Sequence, residues 1–360
     1  MKKITIASVF SGVGAFEHAL DKLKIEHDIA FACDNGEIEI DFDSNIIETL
    51  NNIKDEDSLQ NMVKELYKST NQKNYVKETY FNNYKINEQN WYEDIRFLRG
   101  LKWKNKIDIF VGGSPCQSFS IMGKRAGLLD ARGTLFYDYA RLINTIKPKV
   151  FIFENVYGML SHDKGETWRV IQEVFSSLGY KIYSKVLNAI DFSIPQDRKR
   201  LFVVGFKDTN LNFEFPESIK LATKFNDYLE KKVPIKYFLP KKGFEFVTNP
   251  KYKNRARVNP IIMQTQKANQ QFNWNGDFVF YRKEELFKLY GKNNGIYLGT
   301  FNDNIGGIRK LTPRECFNLM GFSKDFNIND KDVSAYRQAG NSIVVNILES
   351  LIHQILEALK

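Results

Sequence analysis

The chain has 360 residues, is 43% hydrophobic and carries a formal charge of +9, which allows one large core plus a second module and suggests a polyanionic partner, although lysine-rich composition alone gives the same charge. No run approaches the length of a transmembrane helix and "MKKITIASVF" lacks an apolar h-region, so neither a membrane span nor export is expected and a cytoplasmic location fits. Three scattered cysteines, Cys33, Cys116 and Cys316, without CxxC or His-rich company, argue against a disulfide framework and a metal site.

"ITIASVF" (4–10) reads as a buried strand, followed by a glycine turn and an amphipathic helix from about Ala15 to Leu23. The alternation continues with strand 29–33, strand 107–113, helix 134–147, strand 149–155, a helix around 166–178 ended by Gly179, and strands 181–189 and 200–206. Such alternation predicts a doubly wound α/β domain. Residues 37–90, rich in Asn, Lys and Glu, interrupt it and read as a partly helical surface insertion. From about 208 to 310 periodicity fades into a loop-rich, smaller second domain. Regular pattern returns at 311–322 and closes with a helical stripe of Val344, Leu348, Leu351, Ile352 and Ile355, so that 1–207 and 311–360 form one domain around the second.

The turn "FSGVGAF" (10–16) puts Gly12 and Gly14 at the carboxyl edge of the sheet, where α/β folds bind nucleosides. Glu17 stands where a dinucleotide fingerprint needs its third glycine, which disfavours a pyrophosphate and suits a phosphate-free nucleoside such as S-adenosylmethionine. Asp34, ending the second strand, is placed to accept from ribose hydroxyls, and Asp94 in "YEDIRFL" to take an adenine amine. Each alone is also what an ordinary tight turn with solvated carboxylates gives.

The loop "GGSPCQSFSIMG" (112–123) is sharper, because it sets Cys116 among small residues after a strand, and a thiol is an intrinsically strong nucleophile. "FENV" (153–156) puts Glu154 at the end of the next strand, and neighbouring parallel strands bring their carboxyl ends together. "QDRKR" (196–200) adds Arg198 and Arg200. Thiol, carboxyl and guanidinium converge on one edge.

With these residues the chain resembles the DNA (cytosine-5) methyltransferases of bacterial restriction-modification systems. "FSGVGAF", "GGSPCQSFSIMGKRAGLLDARGTLFYDYARLI", "FENVYGML", "QDRKRLFVVGF", "RECFNLMGF" and "QAGNSIVVNIL" follow the family's order, over roughly 1–36, 91–207 and 311–360. The resemblance implies a doubly wound S-adenosylmethionine-dependent methyltransferase fold and places a target recognition domain at 208–310. It implies Cys116 as nucleophile, Glu154 on cytosine N3 and its amino group, Arg200 on the base oxygen and on Glu154, and Arg198 as support. Phe10, Gly12, Gly14, Asp34, Asp94, Ile95, Pro115, Leu135, Asn341 and Ser342 match positions that line the cofactor pocket. Two departures stand out: Ala15 replaces a common glycine, and Asn35 stands where an adenine-stacking aromatic is frequent, so that the stack must come from elsewhere or affinity falls.

The expected partner is duplex DNA, gripped by Lys124, Arg125 and Arg132 of the loop 117–133, with Met122 near its tip. In the second domain Lys251, Lys253, Arg255 and Arg257 are candidates for phosphates or guanines, and Gln264, Gln266, Gln270 and Gln271 for adenines. The implied protein is a monomer acting beside, without binding, a cognate endonuclease. Two other readings stay open: a transfer-RNA cytosine-5 methyltransferase, since that branch shares the core motifs, and a catalytically silent DNA-binding protein. The hundred-residue central module favours DNA, and intact Cys116, Glu154 and Arg200 favour catalysis.

Overall fold

The computed structural model describes residues 3–115 and 135–360. Cys116, Lys124, Arg125 and Arg132, with the rest of the loop 117–133, lie outside the described residues. In chain order the strands and helices begin β1 (Ile4–Val9), α1 (Ala15–Lys22), β2 (His27–Cys33), α2 (Ser44–Asn52), α3 (Glu56–Ser69), α4 (Tyr75–Asn83), β3 (Trp91–Tyr92) and β4 (Ile109–Gly112). They continue with α5 (Leu135–Ile146), β5 (Val150–Val156), α6 (Glu166–Ser177), β6 (Lys181–Asn188), β7 (Gln196–Asp197) and β8 (Lys199–Phe206). The remainder is α7 (Lys241–Thr248), β9 (Ala256–Val258), β10 (Met263–Gln264), β11 (Gly276–Arg282), α8 (Lys283–Tyr290), β12 (Gly299–Phe301), β13 (Asn304–Lys310), α9 (Pro313–Asn318), α10 (Asp332–Asn341) and α11 (Val345–Ala358). None of the described helices is long and apolar enough to cross a membrane.

Packing divides the chain into two compact units, Met1–Leu187 with Lys199–Glu217 and Ile347–Lys360, and Asn188–Arg198 with Ser218–Asn346. The first holds a seven-stranded sheet in the order β3-β2-β1-β4-β5-β8-β6. β1 is parallel to both β2 and β4, and β4 to β5, whereas β8 runs antiparallel to β5. The order reverses between β1 and β4, so the crevice a doubly wound sheet offers to ligands opens at their carboxyl ends. Val9 pairs with both Cys33 and Gly112, and Gly112 with Phe153, which sets the residues after each of these strands side by side.

Long apolar runs in β4 and β5 follow from burial on both faces. Phe110, Phe136, Tyr139, Phe151, Phe153 and Phe175 are fully buried in one cluster, and each such ring contributes about 1.5–3 kcal/mol. Tyr139 stacks on Phe110 at 5.1 Å between centroids and donates its hydroxyl to Ile152 O at 2.8 Å, so its one polar atom is satisfied. The returning α11 joins this unit through Lys22 of α1, which pairs with Glu349 at 2.9 Å.

The segment read as a surface insertion folds into α2, α3 and α4. It has a small core of its own, Ile38, Phe42, Leu50, Leu59, Val63 and Tyr67, with Phe97 packed against it. Its three helices start at side-chain caps, Asp43, Asp55 and Asn74. α4 is no surface helix: Tyr80 is fully buried, with its ring against Trp91.

The second unit is built on a four-stranded sheet, β12-β13-β11-β9, and the short pair β10-β7. Leu239, Phe244, Val247, Ala256, Phe278 and Ile308 form its core. A buried ion pair crosses it: Arg309 Nη1 and Nη2 donate to Glu315 Oε2 and Oε1, both at 2.7 Å. Glu315 also accepts from Thr312 N and Glu230 N, completing a capping box at the start of α9.

Candidate active site

Three strand ends of the first unit build the site. Gly113 follows β4, and a side chain there would fall 2.7 Å from Glu154 O and 3.1 Å from Glu154 Oε2, so only glycine lets this loop lie against the carboxyl. Asn155 Nδ2 donates to Ser114 O at 2.9 Å and ties the end of β5 to the same loop. The described chain on this side ends at Pro115.

Arg200 reaches Glu154 from the other side, Nε to Oε1 at 3.1 Å, both side chains being largely buried. The register explains this contact. Phe202 lies directly opposite Glu154 and Val156 opposite Arg200, so Arg200 is the diagonal neighbour of Glu154 on the same face. Arg198, two residues earlier, belongs to the second unit: its buried guanidinium donates to the carbonyls of Gln266, Gly340 and Ser342 at 2.6, 2.9 and 2.8 Å. It therefore fixes the backbone beside Asn341 and Ser342 at the end of α10.

The nucleoside edge lies at β1 and β2. Phe10, Gly12 and Gly14 have positive φ of 51°, 53° and 79°, and Gly14 caps α1. Asp34 Oδ2 accepts from Gly12 N and Oδ1 from Gly36 N, both at 2.8 Å. Each oxygen keeps a second acceptor position, which suits a pair of vicinal hydroxyls. Burial raises the Asp34 carboxyl to about 6, against the two N–H donors that lower it, and the charges of Glu37 and Glu93 add to the rise. Beside Gly12 the space is open, since a side chain there would meet nothing within 4 Å. These features fit the adenosine part of S-adenosylmethionine. Leu135 opens α5 and packs on the core of this unit.

The Asp94 carboxylate is held by donors of the protein itself. Oδ1 accepts from Arg96 N and Nε, at 2.9 and 3.0 Å, and Oδ2 from Tyr67 OH and Arg96 Nη2, at 2.9 and 2.6 Å. Ile95 beside it is buried. Glu17 turns beneath the glycine turn, where it is buried and accepts from Ser8 Oγ and Tyr80 OH, each at 2.7 Å, and burial raises its carboxyl. Asn35 is spent on a local turn, donating to Ile38 O and accepting from Glu37 N.

Sequence reasoning missed the role of the inserted segment. Tyr67 and Tyr80 supply hydroxyls to Asp94 and Glu17, and Tyr84 OH donates to Gly14 O. The one visible signal was the tyrosine spacing in "YFNNY", where Tyr80 and Tyr84 share a helix face. In the second unit Gln266, Gln270 and Gln271 are buried. Arg257 pairs with the buried Asp277, Nε to Oδ1 at 3.0 Å, while Lys251, Lys253 and Arg255 are exposed.

Comparison with known proteins agrees with this architecture. The family model for C-5 cytosine-specific DNA methylase matches residues 58–357. Among curated relatives, the type II methyltransferase M.HhaI of Haemophilus parahaemolyticus is 35% identical over 251 residues, covering 69% of this chain and 75% of that protein. M.HpaII of Haemophilus parainfluenzae is 38% identical over 267 residues, covering 71% and 73%. Among solved structures, the Dnmt2 methyltransferase of S. pombe aligns over 99% of both chains, with a TM-score of 0.65 at 18% identity, a likeness of fold. The molecule is thus a doubly wound methyltransferase that takes its methyl group from S-adenosylmethionine. The chain belongs to the C-5 cytosine-specific DNA methylases.

Proposed function

We propose that this enzyme methylates carbon 5 of one flipped-out cytosine within a specific duplex DNA sequence, as the modification partner of an endonuclease that cuts the same site. The observation that carries the reading is the Glu154–Arg200 pair lying against Gly113, at the root of the loop that leads to Cys116. Type II methyltransferases among the relatives support the restriction-modification role.

S-adenosylmethionine supplies an electrophilic methyl group. Cytosine carbon 5 becomes nucleophilic only after addition at carbon 6, which the Cys116 thiolate performs while Glu154 gives a proton to N3. Arg200 holds the carboxyl through Oε1, and Oε2 carries the proton to the base. After methylation carbon 5 loses its proton to water, Cys116 leaves as the thiolate, and the N3 proton returns to Glu154, releasing 5-methylcytosine. Since both atoms are inaccessible in a stacked duplex, the base must leave the helix, at a cost of a few kcal/mol. Residues 208–310 serve as the target recognition domain, Cys116's loop supplies Lys124, Arg125 and Arg132 to phosphates, and the enzyme works as a cytoplasmic monomer at the nucleoid.

Duplex DNA bearing 5-fluorocytosine at the target position tests this. Fluorine at carbon 5 cannot leave as a proton does, so the enzyme should form a detergent-stable complex with the DNA when S-adenosylmethionine is present. Cys116→Ala should form none, whereas Cys33→Ala and Cys316→Ala, which alter thiols buried in the described structure, should trap like the parent. A trap on fluorinated transfer RNA and never on DNA would transfer the substrate to RNA, and methylation by Cys116→Ala near the parent rate would end the reading. Bisulfite sequencing of a plasmid from expressing cells then reads the site.

A further inference from the structure

We infer that the inserted segment is a working part of the cofactor site, and that Tyr67 of α3 is a positioning residue that fixes the Asp94 carboxylate for the adenine amine. The inference rests on the reading of Asp94 as the group that meets that amine.

The segment is tied to both carboxylate-bearing strand ends. Asn74, the N-cap of α4, donates to Asp34 O at 3.0 Å and to Glu93 Oε2 at 3.2 Å. It sits so close that a side chain on Gly36 would meet its Oδ1 at 2.2 Å. Lys77 of α4 pairs with Glu93 at 3.2 Å. On the other strand end Tyr67 donates to Asp94 Oδ2 at 2.9 Å, a bond buried on both sides.

That tyrosine is no swinging surface group, because its ring belongs to the core of the inserted segment with Phe42, Leu59 and Val63. Phe42 in turn meets Phe97 at 5.1 Å and lies 4.6 Å beneath the Arg96 guanidinium. Burial, with the charge of Asp94 next, raises the Tyr67 hydroxyl far above its usual range, so it is a donor at every working pH.

Asp94 therefore has two kinds of partner. Tyr67 is 4% exposed, whereas the Arg96 side chain is 42% exposed. An incoming amine can take the place of an Arg96 N–H and leave it in water, while displacing Tyr67 would strand a hydroxyl in an apolar core. The exchangeable arginine and the fixed tyrosine together hold the carboxylate at one angle, ready to distinguish an amine from a carbonyl. This gives the segment a function in base selectivity that a solvent-facing insertion lacks.

Calorimetric titration of the full chain with S-adenosylhomocysteine and S-inosylhomocysteine tests it, since the inosyl compound carries an oxygen where adenine has its amine. The parent should prefer the adenosyl compound. Tyr67→Phe keeps the ring in its core and removes one hydrogen bond, so it should weaken S-adenosylhomocysteine by about fivefold, change S-inosylhomocysteine less, and leave kcat at saturating S-adenosylmethionine within about twofold. An unchanged preference in Tyr67→Phe, or equal weakening of both compounds, would overturn the role given to Tyr67. Asp94→Asn is the control for the underlying reading: if it leaves the preference intact, Asp94 does not meet the amine and the reading beneath the inference is lost.

Discussion

Two carboxylates, Asp34 in the first unit and Glu315 in the second, show how differently the two units use charge. Asp34 accepts one N–H on each oxygen and keeps an acceptor position on both. Glu315 is closed: Arg309 takes both oxygens, and Thr312 N and Glu230 N take the rest. Removing Arg309 would leave a buried charge unpaired, a loss of about 3–5 kcal/mol. A polar residue in a motif is thus a candidate for a ligand where its valence is left open, and part of the architecture where the fold fills it. Asp94 stands between these cases, filled yet with one exposed, exchangeable partner.

The largest effect is expected at Glu154, whose carboxyl, held by Arg200 at 3.1 Å, we propose serves chemistry and not stability. Glu154→Gln keeps shape and hydrogen bonding but removes the transferable proton, so methyl transfer should slow by about a hundredfold or more. S-adenosylmethionine binding and melting temperature should stay near the parent's. Activity within about threefold of the parent, measured as tritiated methyl incorporated into duplex DNA, would remove Glu154 from the mechanism.

Asp34 allows a test by pH. Its carboxyl titrates at about 6, mainly through burial, and only the ionised form offers both acceptors to ribose. Binding of S-adenosylhomocysteine should therefore weaken as pH falls through about 6, by about tenfold between pH 7.5 and 5. Stability runs the other way. The folded carboxyl releases its proton later than the unfolded one, so the contribution of Asp34 to stability is greatest below about pH 4 and declines as pH rises to about 6. Affinity that is flat across this window would mean that Asp34 does not hold the ribose.

β1, β2, β4, β5, β6 and β8, with α1, α5 and α6, were legible because their apolar periodicity is local; parallel β4 and β5 bring Gly113 beside Glu154 by rule, whereas Arg200 meets Glu154 across the antiparallel pair β5 and β8, an orientation that the strand pattern alone does not give. Tyr80 and Glu17 were not legible, being bonded across 63 positions, a pairing that no local pattern encodes. The inserted segment looked like surface because its Asn, Lys and Glu residues dominate the composition, while the few apolar residues that form its core are spread over Ile38 to Tyr67. The burial of Gln266 was illegible for a related reason. Gln266 N bonds to Gln196 Oε1 and its carbonyl to Arg198, so its place is fixed by partners some seventy residues away.

Arg255 and Arg257 carry the comparison into the second unit, where sequence reading gave them one role. Arg255 is exposed, with Nε donating to Asn275 Oδ1 at 2.8 Å and its guanidinium 5.5 Å from the Phe246 ring, so its remaining N–H groups are available to phosphate. Arg257 is committed to Asp277, whose carboxyl is fully buried and raised by that burial against the pull of Arg257 itself, and it also donates to Ile262 O. Arg255→Ala should weaken duplex DNA binding by about fivefold and lower the slope of log affinity against log salt by about one, at an unchanged melting temperature. Arg257→Ala should lower the melting temperature by several degrees, because it strands a buried carboxylate, and restoring the balance with Asp277→Asn in the same chain should recover part of that loss. Were Arg257→Ala instead to lose DNA affinity and salt slope at full thermal stability, the filled valence of Asp277 would not mark architecture, and the rule drawn from Glu315 would fail in its own unit.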